Sequence, residues 1–171
     1  MRARELGRTA ASVAIALALG VLAGCAGGES GRAGVRVGEQ APQFRLPDLA
    51  GAEVTTASLA GMPTVLNFWA TWCLPCIGEL PVLAEVERSG RARVVGLSID
   101  EGGAAAVRPF VAEHRIPYRI LLADEATATR WGAIGIPFTV VLDARGTVVE
   151  TFTGAVSPGD LDHAIREART R

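Results

Sequence analysis

The stretch Asn67–Cys76 reads NFWATWCLPC and places Cys73 and Cys76 three positions apart, after an apolar run and with Pro75 just before the second sulfur. Cysteines at this spacing can clip a metal, belong to a disulfide framework or form a reactive pair. A framework needs several further pairs, and the whole chain holds 3 cysteines. A zinc site needs about two more ligands, yet the 2 histidines, His114 and His163, are widely separated rather than spaced as in a finger. No metal and no other cofactor is expected, which leaves the reactive pair.

Val65–Trp69 is apolar, partly β-branched and preceded by Gly61–Pro63, as a buried strand would be. A helix should follow from about Cys73 to Ser89, with Gly90 as its stop and Pro81 bending it. A C-x-x-C at such a strand-to-helix junction has redox chemistry for a physical reason. Unpaired N–H groups and the positive end of the helix dipole favour a thiolate at Cys73, making it the nucleophile. Cys76 lies one turn on and can resolve a mixed disulfide formed by the first sulfur. Pro75 stiffens the turn between them.

Outward from this motif, RVVGLSID (93–100) and YRILLAD (118–124) read as strands and ATATRWGA (126–133) as a short helix. Val107, Phe110, Val111 and His114 recur at helical spacing and suggest a core-facing stripe, with Pro109 leaving the helix start open. FTVVLDARGTVVETF (138–152) has two β-rich runs around DARG, an antiparallel hairpin signature. Ser157, Pro158 and Asp160 open a last helix whose buried stripe is Leu161, Ala164, Ile165 and Ala168. The fold class is therefore α/β: a mixed central sheet with helices on both faces. Phe68 and Trp69 should pack on opposite sides of that sheet. Trp131 and Phe110 are assigned to packing, and the two histidines to structure.

The chain has 171 residues, 49% of them apolar, and a net charge of −1 from 17 basic and 18 acidic side chains. That suits one domain with a sizeable core, monomeric by expectation, and offers no basic footprint for nucleic acid. Its start, MRARELGR followed by the apolar run Ala10–Ala23, has the layout of an export signal and is too short to span a bilayer comfortably. An uncleaved short anchor is the alternative. Leu22–Cys25, LAGC, resembles the lipobox of bacterial lipoproteins. The resemblance implies a diacylglyceryl group on Cys25 and anchoring by acyl chains, against cleavage elsewhere and free secretion. The expected plan is residues 1–24 as signal peptide, 25–36 as a glycine-rich flexible tether and 37–171 as the folded domain.

NFWATWCLPC with the later GIPFTVVLD resembles the thioredoxin superfamily, and WCLPCIGELP resembles its exported, membrane-tethered branch, the TlpA/ResA/CcmG(DsbE)-like thiol-disulfide oxidoreductases. The segment from Val37 to Ala70 is similar to the N-terminal hairpin extension shared by that branch and the peroxiredoxins. A peroxidatic P-x-x-x-T/S-x-x-C fits neither cysteine, because Ala70 precedes Cys73 by three and Cys73 itself precedes Cys76 by three. The resemblance implies that Pro137 lies in cis across from the cysteines, that the Ile136 backbone pairs with extended substrate, and that Trp72 covers the nucleophile as a contact surface. Residue spacing alone would equally allow an ordinary trans proline and a core tryptophan.

Thioredoxins carry a buried aspartate where this chain has Asn67, so another group must handle the proton. Glu79 matches the glutamate of the branch's C-x-x-C-x-x-E pattern and becomes that candidate; by spacing alone it could be a surface residue. The function implied is reduction of disulfides in exported proteins such as apocytochrome c, outside the cytoplasm, with electrons from a membrane thiol-disulfide carrier. The alternatives are an oxidant that introduces disulfides and a binding module with an inert disulfide.

Overall fold

The structure, a computed structural model, describes residues 34–171. The signal segment, Cys25 and residues 25–33 of the tether lie outside the described residues. Backbone contacts begin ahead of Val37: Gly34 N–H donates to Arg130 O at 3.1 Å and Val35 N–H to Trp131 O at 3.3 Å.

A two-stranded antiparallel hairpin, β1 (Arg45–Pro47) and β2 (Glu53–Thr55), precedes a five-stranded sheet. Its strands are β3 (Thr64–Trp69), β4 (Arg93–Ser98), β5 (Arg119–Leu122), β6 (Phe138–Leu142) and β7 (Val148–Thr153). They run in the order β5-β4-β3-β6-β7, parallel between β3, β4 and β5 and antiparallel from β3 to β6 to β7. β3 is central and buried at all six positions, so its residues show no polar alternation. The N-terminal extension meets β5 through the bridge Asp48↔Leu121 and the start of β7 through the bridge Gln40↔Thr147 and the Glu39–Val148 backbone bond, contacts that occupy part of each outer edge.

The sheet separates two apolar layers. Trp69 packs with Leu80, Leu83 and Val86 of α1 (Leu74–Ser89) and with Leu161 and Ile165 of α4 (Pro158–Thr170). Phe68 faces the other way, with Phe44, Leu97 and Trp131 of α3 (Glu125–Trp131). Opposite faces for Phe68 and Trp69 follow from strand alternation, as expected. Gly96 of β4 makes room for the indole: a Cβ there would lie 2.6 Å from Ile120 Cδ1 and 2.8 Å from Trp69 Nε1. The α4 stripe is Leu161, Ala164, Ile165 and Ala168 as read from spacing, and burying a Leu or Ile side chain contributes about 1.5–3 kcal/mol.

The hairpin turn is built by Asp143, whose Oδ1 accepts from Arg145 N at 2.8 Å and Thr147 N at 2.9 Å while Gly146 takes φ 81°. The Ser157 hydroxyl accepts from Asp160 N at 3.2 Å and so caps α4. α1 runs through Pro81 as one element and stops at Gly90, in the left-handed conformation at φ 65°.

The helix carrying Pro109, α2 (Gly103–Glu113), differs from the expected stripe. Only Val107 is fully buried there, Phe110 and Val111 are half-buried, and His114 is exposed just past the helix end, its ring stacked on Phe110 at 3.9 Å. Helical spacing placed His114 on the apolar face, but the helix ends before it and the imidazole stacks outside the core. No described helix is long and apolar enough to cross a membrane.

Candidate active site

Cys73, four residues past the end of β3, caps α1, and its sulfur occupies the place usually held by a serine or aspartate oxygen at a helix start. Cys76 N–H donates to Cys73 Sγ at 3.3 Å, and Ile77 N–H to Cys73 O at 3.1 Å. Pro75 at the second helical position gives up an N–H that would have had no partner within the helix. The sulfur therefore sees the Cys76 amide hydrogen and the positive end of the helix, both of which favour a thiolate. Cys73 and Cys76 are joined by a disulfide with S–S 2.03 Å and Cα–Cα 5.3 Å.

Cys73 is only 5% exposed, whereas its neighbours Trp72 and Leu74 are 66% and 79% exposed. A recessed sulfur between two protruding apolar side chains is open to a partner that docks on them. Trp72 is thus not a core aromatic. Pro137 sits at the same end of the sheet, because the β3–β6 register pairs Phe68 with Phe138 and the next step outward brings Trp69 opposite Pro137. The Ile136–Pro137 peptide is cis. Pro137 O accepts from Gly154 N at 2.9 Å, while among the described residues the Ile136 N–H and C=O have no hydrogen-bond partner. Trp72 and Ile136 border one groove of about 1280 Å³, together with Ile134, which is 94% exposed, and the carboxylates of Glu101 and Glu125.

Glu79 stands three residues after Cys76 on α1 and is 2% exposed, which rules out the surface placement that spacing allowed. Its Oε1 accepts from Asn67 Nδ2 at 2.6 Å and its Oε2 from Val156 N at 3.2 Å. Burial pushes the Glu79 carboxyl above the ordinary glutamate range, against the Val156 N–H and the Asn67 amide, which pull it down. Tyr118 is also buried, and burial with the Glu79 charge raises its phenol well above the usual value. A carboxyl held back from ionising one turn from the second thiol can give and take a proton there.

Sequence reasoning took Asn67 only as the absence of an aspartate. It missed the amide as a partner of Glu79, along with Thr139, Val156 and Tyr118. These residues are distant in the chain and carry no motif of their own, so nothing short of strand register could have joined them.

The AhpC/TSA family profile matches residues 37–151. The chain is 33% identical over 123 residues to the thiol:disulfide interchange protein DsbE of Pseudomonas fluorescens biotype C, covering 70% of this chain and 68% of that one. It is 28% identical over 138 residues to the thiol-disulfide oxidoreductase ResA of Bacillus thuringiensis subsp. konkukian, covering 78% and 79% respectively. Among solved structures, a secreted disulfide oxidoreductase of Mycobacterium tuberculosis superposes with a TM-score of 0.62 at 30% identity, over 73% of this chain and 96% of that one.

Proposed function

The chain belongs to the AhpC/TSA family and is a thiol-disulfide oxidoreductase of the DsbE and ResA type, and from that premise we propose that it works as a reductant of exported proteins. Cys73 thiolate attacks a substrate disulfide, forming the Cys73–substrate disulfide and releasing one substrate thiolate. Cys76 thiolate then attacks Cys73 Sγ, forming the Cys73–Cys76 disulfide and releasing the second. Two electrons pass from the pair to the substrate, and the two protons of the former dithiol end on the substrate thiols. Glu79 accepts the Cys76 proton. Trp72 and the Ile136–Pro137 segment hold the substrate, with the unpaired Ile136 N–H and C=O offering a short strand-like contact.

The observation that carries the direction is the buried Glu79 beside the pair. Its carboxylate disfavours a neighbouring thiolate and raises thiol pKa, which damps indiscriminate reactivity and suits a dithiol that reacts only with docked partners. With a single dithiol in the domain and no nucleotide-cofactor fingerprint, oxidised protein must be recharged by another dithiol, for which a membrane thiol-disulfide carrier is proposed. Apocytochrome c is the proposed substrate class, as the resemblance of WCLPCIGELP to the exported branch implies.

The proposed setting is the outer face of the cell membrane or the periplasm, with residues 1–24 removed, Cys25 lipidated, and a tether that ends by Gly34, where the chain joins the catalytic domain ahead of the expected boundary at Val37. The secreted relative and the signal-like start support this. Cys25→Ala should move the protein from membrane to soluble fraction with dithiol chemistry intact; a variant that stays membrane-bound would argue for an uncleaved helix.

The decisive experiment for direction combines the reduction potential with the in-compartment thiol state after rapid acid quenching and alkylation. A potential nearer the roughly −270 mV of thioredoxin than the roughly −120 mV of DsbA, with free thiols at steady state, is expected. A potential near DsbA with almost complete disulfide would make the protein an oxidant.

A further inference from the structure

We propose that Asn67 is a positioning residue for the dithiol chemistry: its amide, held across the sheet by Thr139, fixes the Glu79 carboxyl and keeps it ionisable beside Cys76. The proposal rests on the proton role given to Glu79 above and says how the fold sets that role.

Asn67 is 1% exposed in the middle of β3, directly opposite Thr139 of β6 in the strand register. A carboxamide nitrogen has two hydrogens. One goes to Glu79 Oε1 at 2.6 Å and the other to Thr139 Oγ1 at 3.0 Å, so the amide cannot turn without breaking one of them. Thr139 is fully buried and fixed on the neighbouring strand, so the sheet itself aims the donor.

The donor end of an amide favours the charged form of the carboxyl it faces. It therefore opposes the burial that pushes the Glu79 carboxyl up. An apolar side chain at this position would remove that donor, and an aspartate would compete for the proton. The groups facing Glu79 are few. Val156 N–H meets Oε2 from the loop before α4, Tyr118 at the start of β5 feels its charge, and Cys76 and Cys73 titrate on its own helix once reduced. Among the described residues no basic side chain pairs with it. Asn67 is then, among the described residues, the side-chain donor that, beside the Val156 N–H, favours its ionisation.

The test uses the purified, reduced full-length protein with ¹³C-labelled glutamate, the Glu79 carboxyl signal being assigned by its loss in Glu79→Gln. Asn67→Leu should move the Glu79 titration up by about one pH unit, a tenfold change in its ionisation constant. Thr139→Val, nearly isosteric, should move it the same way by less. The pH profile of Cys73 alkylation by iodoacetamide should shift with it. In a Glu79→Gln background Asn67→Leu should leave that profile unmoved, because the residue acts through Glu79.

An unchanged Glu79 titration in Thr139→Val and Asn67→Leu overturns the proposal, and the threonine variant alone decides if the leucine variant does not fold. A profile shift as large without Glu79 as with it also overturns it. If Glu79→Gln leaves the alkylation profile at the wild-type position, the proton role itself fails and takes this proposal with it, whatever the carboxyl titration shows.

Discussion

Val156 N–H donates to Glu79 Oε2 at 3.2 Å across 77 positions of sequence, tying the redox helix α1 to the loop that precedes α4. Together with the Asn67 contact this gives each oxygen of a buried carboxyl one fixed donor. Burial outweighs both donors, so the folded protein holds an acid whose affinity for its proton exceeds that in the unfolded chain.

That difference has a sign in stability. Below the ordinary glutamate range Glu79 is protonated in both states and costs nothing. As pH rises from there through its raised folded pKa, the unfolded chain ionises more readily and stability falls. Glu79→Gln removes this loss. Chemical denaturation between pH 4 and 8 on the oxidised protein should therefore show a more negative stability slope for wild type than for the variant, about 1.4 kcal/mol of extra loss for each unit of pKa elevation. Parallel slopes would mean that Glu79 titrates normally.

The two sulfurs should behave unequally, since only Cys73 caps the helix and receives the Cys76 amide. Cys76→Ser should accumulate mixed disulfides with substrate proteins on Cys73, visible as dithiothreitol-sensitive adducts in non-reducing gels. Trapping mainly through Cys76 in Cys73→Ser would reverse the assignment.

Gly96→Ala should destabilise the oxidised protein by about 1–3 kcal/mol through overpacking. The new methyl would meet Ile120 Cδ1, which can swing aside, and the Trp69 indole, which cannot, being a rigid plate packed against Phe110 at 5.4 Å. A melting temperature equal to wild type would show that this layer is looser than its geometry implies.

Asp143 gives a pH effect of the opposite sign to Glu79. Burial pushes its carboxyl up, but the Thr147 and Arg145 N–H groups and the Arg145 guanidinium outweigh it and hold the pKa below the ordinary aspartate value. Stability from this group is present above the unfolded pKa and is lost as pH falls through the folded one. Asp143→Asn should cost about 1–3 kcal/mol at neutral pH, with the gap to wild type closing toward pH 2 in denaturation curves. A gap independent of pH would assign the loss to turn geometry alone.

Residue order by itself determined the local elements and placed Cys73 at a helix start. A run of β-branched and aromatic residues ending at Trp69, a C-x-x-C with Pro75, and Gly90 sixteen positions after Leu74 specify strand, helix start and helix stop through backbone sterics and unpaired amides. These act within a few residues of one another. The same holds for the Asp143 turn and the apolar stripe of α4. Tertiary structure alone decided whether Glu79 was a surface acid or a buried one, because burial depends on what α1 packs against and not on its spacing. It also decided that Asn67, Thr139 and Val156 meet around that acid, since strand register and loop return are fixed by the packing of the whole sheet. His114 shows the same limit from the other side: its spacing fitted the core, but the helix ended at Glu113 and left the ring stacked in solvent.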